Sequence, residues 1–245
     1  VLEQNAEAGD NVCCTGIISG ECLTSFNLDG ASVVVFRQAS SAKFFAPCGE
    51  FIRLHRDDLQ AYIVDPVSLD TSLKQRAQEY GADYLFSAQV IAVTPEPDHA
   101  SVVVNYQGTK RAFSAQTVVL ACGFGSKLPE KLGLGEISDF VFGAQAEVET
   151  KDVDEVELYF DQKLSPGSFG WLVPTSDSRG LVGLLVPQSP ASYLGSLLSR
   201  LNSQGKITSA EADVKLGKIP LGYLLQTSTD RIIVVGDAAG QVKPT

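Results

Sequence analysis

Methionine is absent from the 245 residues, tryptophan occurs once and histidine only twice. The two histidines, His55 and His99, are far apart in sequence, and the five cysteines (Cys13, Cys14, Cys22, Cys48, Cys122) show no C-x-x-C spacing. That combination excludes the usual zinc-site patterns, and an odd cysteine count argues for reduced thiols rather than a disulfide framework. No apolar run approaches the roughly 20 residues that a membrane-spanning helix needs. Basic residues are scarce: 19 Lys and Arg stand against 29 Asp and Glu, a formal net charge of −10. Nucleic acid is therefore an unsuitable partner, because neutralising phosphates needs clustered cations, and attraction to anionic lipid is disfavoured as well. Low-complexity tracts, internal repeats and long linkers are missing too. What remains, 44% hydrophobic and 20% charged residues, is the composition of a globular chain long enough for one large core or two linked ones. No signal peptide is legible, so the cytoplasm is the default compartment. Both ends fall inside what read as structural elements, so the chain is expected to be a piece of a longer one.

Along the chain, Val1-Leu2-Glu3 reads as the end of a strand, followed by a loop and a Gly/Ser-rich stretch from Cys14 to Leu23 in which Gly16 and Gly20 suggest close packing. The β-rich runs Ala31 to Arg37 and Phe51 to His55 fit a pair of antiparallel strands. Val67, Leu69, Leu73, Ala77 and Tyr80 recur at helical spacing between Asp65 and Tyr80, with Gly81 placed as the stop. A three-strand meander is expected over Tyr84 to Val93, Ser101 to Tyr106 and Arg111 to Leu120, with a turn at Gln107-Gly108. Its end, Thr117 to Ala121, is a continuous apolar run suited to a strand buried on both faces, into whose sheet another part of the chain crosses. Strands over Phe140 to Glu149, Glu155 to Phe160, Phe169 to Thr175 and Leu181 to Val186 read as an antiparallel sheet. The helix over about Pro190 to Leu201 carries a leucine stripe (Leu194, Leu197, Leu198, Leu201) of the kind that faces a core.

The densest chemical signal is near the end, where Arg231-Ile232-Ile233-Val234-Val235 runs into Gly236-Asp237-Ala238-Ala239-Gly240. A β-branched strand followed by small residues lets a ligand approach the backbone at the start of the next helix, whose free N–H groups and dipole favour negative charge. Asp237 is either part of such a site or an ordinary helix cap. Glu3 stands at a strand end where a dinucleotide fold places the acid that bonds a ribose, and a surface carboxylate is the alternative.

Taken in order, Leu2-Glu3, Cys14-Thr15-Gly16, the helix after Asp65, Ala121-Cys122-Gly123 and Val235-Gly236-Asp237-Ala238-Ala239-Gly240 with Pro244 resemble the FAD-dependent oxidoreductases of the geranylgeranyl reductase type. These belong to the glutathione-reductase-like superfamily that includes aromatic hydroxylases. Pro166-Gly167-Ser168-Phe169-Gly170-Trp171-Leu172-Val173-Pro174 is similar to that family's P-x-x-Y-x-W-x-F-P signature, with Phe for Tyr and Val for the last aromatic. Cys122 and Pro66 stand where the superfamily has Asp and often Arg, so polar contacts are not expected from those two positions.

The resemblance implies an α/β fold: an FAD-binding Rossmann-like domain, without its first strand and Gly-rich turn, interleaved with an antiparallel β-sheet substrate domain. The expected division is 1–30, 62–135 and 228–245 for FAD, and 31–61 and 136–227 for substrate. FAD contacts fall to Glu3, Thr15, Gly16, Val90, Ala121, Gly123, Gly236, Asp237, Ala238, Gly240 and Pro244, with a helix from about Ala238 pointing at the flavin. Phe169 and Trp171, on one face of a strand by their spacing, would line the substrate cavity, or simply pack in a core. Cys14 would lie near the isoalloxazine as a proton donor or a packed thiol, with Cys13 pointing away from it along an extended backbone. The expected reaction is hydride reduction of C=C bonds in a geranylgeranyl or other polyprenyl chain. The rivals are an electron-transfer flavoprotein or quinone-type dehydrogenase, a flavin monooxygenase or halogenase, and a lipid-binding fragment that has lost FAD. Neither a nicotinamide (NAD(P)H) site nor a ferredoxin patch is legible, so the electron donor, a redox partner and peripheral membrane contact stay open.

Overall fold

The computed structural model describes residues 1–10, 12–26, 28 and 33–243. The chain divides into two compact units, each assembled from separate segments: Val1–Asp10, Ala77–Val141 and Lys218–Thr245 form one, and Asn11–Arg76 and Phe142–Gly217 form the other. In chain order the elements begin β1 (Ile17–Ile18), α1 (Gly20–Ser25), β2 (Val35–Ala39), β3 (Ser41–Phe45), β4 (Phe51–His55), β5 (Ala61–Val64) and α2 (Pro66–Glu79). They continue as β6 (Ala88–Pro95), β7 (Ala100–Tyr106), β8 (Thr109–Ala115), β9 (Val118–Leu120), α3 (Leu128–Lys131), β10 (Phe140–Glu149), β11 (Val156–Tyr159), β12 (Gly170–Pro174) and β13 (Arg179–Val186). Last come α4 (Pro190–Ser203), β14 (Val214–Pro220), β15 (Ile232–Val234) and a 3₁₀ turn at Gly236–Ala239. No helix among the described residues is long and apolar enough to cross a membrane.

In the first unit, β6, β7 and β8 form the expected meander, and Gln107 and Gly108 both adopt positive φ, as a tight two-residue hairpin turn requires. The run from Arg111 to Leu120 is two strands rather than one. It breaks at Gln116, after which β9 leaves the meander and pairs in parallel with β15. Val1–Asn5 lies along residues 83–88 through a parallel bridge between Leu2 and Leu85 and hydrogen bonds from Glu3 N–H to Leu85 O and Ala88 N–H to Glu3 O. Val102, Val104, Leu120, Leu128, Leu134, Ile232 and Val234 pack into one core. Arg231 pins the start of β15 by donating to the backbone carbonyls of Glu96, Pro97 and Gln116.

The second unit is built on a seven-stranded sheet ordered β14-β10-β13-β12-β11-β3-β4, with β11 and β3 parallel. β2 belongs to a different, three-stranded sheet, β1-β5-β2. The antiparallel pairing expected between the Ala31–Arg37 and Phe51–His55 runs is therefore not formed; Ser41–Phe45, unmarked by any strong apolar alternation, takes the place beside β4. α4 covers one face of the sheet, and Leu194, Leu197, Leu198 and Leu201 pack there with Ala144, Leu172, Leu184 and Tyr159. The leucine stripe is core, as its spacing indicates. α2 forms where the apolar spacing places it and ends at Gly81, whose N–H bonds Gln78 O. Its apolar positions are another matter, since Val67 and Leu73 remain more than two-fifths exposed.

A charged cluster ties the outer strands together. Glu155 accepts from Ser41 Oγ, from Arg53 through both Nε and Nη2 at 2.7 Å, and from Lys43 Nζ at 3.2 Å. Burial alone would raise the Glu155 carboxyl, but these donors outweigh it and hold its pKa at about 2. A carboxylate depressed in the folded state stabilises the fold above its unfolded pKa of about 4.5. That stability is lost as pH falls through the folded value. Glu155→Gln should therefore lower the melting temperature at neutral pH, and the gap to the wild type should close between pH 4.5 and 2. A gap that persists unchanged at pH 2 in a thermal-melt series would show that the cluster does not depend on this ionisation.

Candidate functional site

In the first unit an open cleft of about 720 Å³ is lined by Leu2–Asn5, Ala88–Ile91, Ala121, Cys122 and the 124–128 loop with Lys131. Three residues singled out from the sequence, Glu3, Val90 and Ala121, meet there. They do so because residues 1–5 run alongside residues 83–88, which lead into the start of β6, and the chain leaving the C-terminal end of β9 reaches the same place. Glu3 is half-buried, and one carboxylate oxygen accepts from Asn5 N–H at 2.7 Å. Cys122 packs against the core beside β9 rather than presenting a polar group. A second cavity, of about 310 Å³, is lined by Gly123, Ala238, Phe140, Lys218 and the shared Phe124–Lys127 loop.

The turn after β15 differs from the sequence expectation. Instead of a helix starting near Ala238, residues Gly236–Ala239 make one 3₁₀ turn that Gly240 ends at φ 72°. Asp237 is exposed and lies inside the turn rather than at its N-cap, which is Val235. Gly240 also lies against the backbone of Gly222: a Cβ at position 240 would sit 1.9 Å from Gly222 O. Gly123 and Gly236, by contrast, combine positive φ with open space where a Cβ would be. Pro244 lies outside the described residues.

In the second unit, the sheet face opposite α4 carries a continuous cross-strand row. Register places Gln145 (β10) beside Gly183 (β13), Gly183 beside Trp171 (β12), Trp171 beside Leu158 (β11), Leu158 beside Phe44 (β3) and Phe44 beside Ile52 (β4). The Trp171 indole lies over Gly183, where a Cβ would come within 2.3 Å of its ring. Phe169 packs on Trp171 with ring centroids 6.1 Å apart, Phe160 on Phe169 at 5.7 Å, and Phe44 on Phe160 at 6.0 Å. Trp171 Nε1 is buried without a hydrogen-bond acceptor among the described residues. The surface is therefore apolar along its length, with one polar handle at the Gly183 end.

At that same end the segment bearing Cys14 is attached. Thr15 Oγ1 donates to Gln145 Oε1 (3.0 Å), and Gln145 Nε2 donates to Cys14 O (3.3 Å). Gly16 N–H faces Cys14 Sγ at 3.4 Å. Gly16 is glycine for a local reason: at φ 71°, a Cβ would lie 2.1 Å from Val64 O, whose residue pairs back through Val64 N–H to Gly16 O. Cys14 is exposed. Packing pushes the neighbouring Cys13 thiol up from its ordinary value, against the pull of the Lys215 ammonium. Gln145, Phe44 and Phe160 were not singled out by the sequence. The signal available for them was the alternation of β10 and β3, readable only once register was known.

No family model matches the chain. It is homologous over its whole length to curated digeranylgeranylglycerophospholipid reductases. It shares 31% identity with reductase 2 of Methanothermobacter thermautotrophicus and 27% with the reductase of Methanocaldococcus jannaschii, with all of this chain matched in both cases. It spans 65% and 64% of those proteins' lengths. Among solved structures, a geranylgeranyl bacteriochlorophyll reductase-like protein from Thermoplasma acidophilum superposes on 99% of the chain with a TM-score of 0.86 at 18% identity, over 65% of its own length. CmlS, a flavin-dependent halogenase, superposes on 97% with a TM-score of 0.68 at 17% identity, over 48% of its length. At such identities these two establish the α/β fold.

Proposed function

We propose, from its homology to digeranylgeranylglycerophospholipid reductases, that this chain carries an FAD-dependent oxidoreductase that saturates C=C bonds of geranylgeranyl or related polyprenyl lipids. The observation that carries the reading is the aromatic row of the second unit, whose Gln145 end is bonded to the segment that bears Cys14. A long unbranched stack of rings suits an isoprenoid chain, which gains about 25 cal/mol per Å² of apolar surface withdrawn from water.

The cleft fits the cofactor. Glu3 offers a carboxylate at a strand end for ribose hydroxyls, Val90 and Ala121 supply an apolar wall, and the open, positive-φ glycines Gly123 and Gly236 admit close approach of a planar group. Asp237, exposed beside Gly236, is an acceptor for hydroxyls of a ribityl chain. Ala238 lines the adjoining cavity. The first unit is accordingly the cofactor unit and the seven-stranded-sheet unit the substrate unit. Bound FAD, once reduced, supplies two electrons and one of the two hydrogens that saturation requires. The chain's own contribution is to orient the alkene against Phe169 and Trp171, exclude water, and deliver the second hydrogen as a proton from Cys14 Sγ.

Anaerobic reduction followed by addition of a geranylgeranyl lipid should return the oxidised-flavin absorbance and yield a lipid heavier by two hydrogens per double bond. Flavin that stays reduced would direct attention to quinone or oxygen as acceptor. Cys14→Ala should keep flavin bound and slow saturation by about 10²-fold or more, the scale of a lost general acid. Unchanged single-turnover rates would remove Cys14 from the reaction.

A further inference from the structure

Gln145 is 7% exposed, in the middle of β10, on the sheet face that otherwise carries apolar groups and glycine along its row. A buried amide among such neighbours costs free energy unless both of its ends are bonded. Both are, and to one short segment. The carbonyl oxygen takes the Thr15 hydroxyl and the NH₂ gives to the Cys14 carbonyl. Its neighbour in register, Gly183, has no side chain, so the Trp171 indole lies flat over that strand, next to the strand that holds the amide. A larger residue at 183 would separate the two. The unpartnered Trp171 Nε1 marks the same end of the row as a place where polar groups meet an apolar surface.

From this arrangement we infer that Gln145 is a positioning residue: through its two hydrogen bonds it fixes the Cys14-Thr15 segment to the sheet and so sets the Cys14 thiol at the Trp171 end of the aromatic row. The fold supplies the other anchor, the Gly16 turn bonded to β5, so removing Gln145 frees the segment on one side without detaching it. The chemical value of that placement rests on the reductase reading above. The placement itself does not, and it has its own readout.

The experiment is hydrogen–deuterium exchange of the protein read by mass spectrometry on peptides covering residues 12–18, with peptides from β10 and β13 as internal reference. In Gln145→Leu, exchange of the 12–18 segment relative to the reference should speed up about five-fold or more, because the segment is held by fewer bonds and samples open conformations more often. Thr15→Val, which removes one of the two bonds and leaves Gln145 in place, should give a smaller rise in the same direction. Gln145→Asn, one methylene short of both partners, should behave like Gln145→Leu rather than like the wild type. In turnover, Gln145→Leu should lower kcat while leaving KM for the lipid nearly unchanged, since the aromatic row is intact. Exchange that stays at the wild-type rate in Gln145→Leu and Thr15→Val, with melting temperatures preserved, would overturn the inference. Faster exchange with unaltered turnover would support the positioning role and count against Cys14 as proton donor, so the two failures can be told apart.

Discussion

Lys206→Met should destabilise the seven-stranded-sheet unit by about 3–5 kcal/mol, the cost of leaving a buried charge without its partner. Lys206 Nζ lies 2.6 Å from Glu157 Oε2 and 3.1 Å from Tyr159 Oη, and the Glu157 side chain is only 5% exposed. The Tyr159 hydroxyl donates to the same carboxylate oxygen, and burial beside Glu157 pushes that phenol far above its ordinary value, so it stays a donor at every practical pH. The ammonium also sits 4.2 Å above the Phe45 ring centroid. One cation therefore compensates a carboxylate, a hydroxyl and a ring inside a core of leucines. For a unit of this size the expected fall in melting temperature is roughly 10 °C. The double variant Glu157→Leu/Lys206→Met, which removes both charges, should recover most of that loss. If the single and double variants melt together, the pair is not coupled in the way the geometry indicates.

Gly240→Ala should be comparably severe, at about 3–5 kcal/mol, since it adds left-handed strain to a backbone collision. The added Cβ meets Gly222 O at 1.9 Å and Ile137 at 2.9 Å, and a carbonyl in a loop anchored by Leu224 N–H to Ala239 O cannot swing aside freely. Gly236→Ala is the control. Position 236 has a similar φ of 65° but open space around it, so only the backbone strain of about 1 kcal/mol applies. The difference between the two in chemical denaturation separates a glycine kept for packing from one whose space is open to a ligand. Flavin titration of Gly236→Ala, which should fold but bind more weakly, completes the comparison.

Legibility from sequence followed the range of the forces involved. α2, α4, the Gln107-Gly108 hairpin and the strands in the Thr117 and Ile232 runs are readable because each rests on local periodicity, turn chemistry or a run of β-branched residues; the parallel pairing of those two strands is not, and Val119 and Ile233 leave one face of each exposed where burial on both was expected. The partner of Phe51–His55 was not. Ser41-Ala42-Lys43-Phe44-Phe45 has no clean alternation, and its place is decided by Glu155, more than a hundred residues away. The helix expected after Val235 is instead a single 3₁₀ turn ended by Gly240 at positive φ, and Gly240 is held against Gly222, a contact remote in sequence. At the site, motif residues such as Glu3 and Trp171 announced themselves by type and spacing. Gln145 and Phe44 did not, because what matters about them is which residues the register sets beside them.

The order in which the ribosome delivers these strands has a consequence for how the protein is made. Unit one needs β15 beside β9, yet more than a hundred residues separate the two strands, and the Phe142–Gly217 segment of the other unit is made between them. The pairing of β9 with β15 therefore waits until after the strands of the second unit have emerged and are free to fold. Until then the hydrophobic side chains of Leu120 and Leu134 have lost their partners Ile232 and Val234 and are open to chaperones or to other nascent chains. Slowed elongation before residue 232 should raise aggregation during synthesis, whereas refolding of the finished chain is spared that delay.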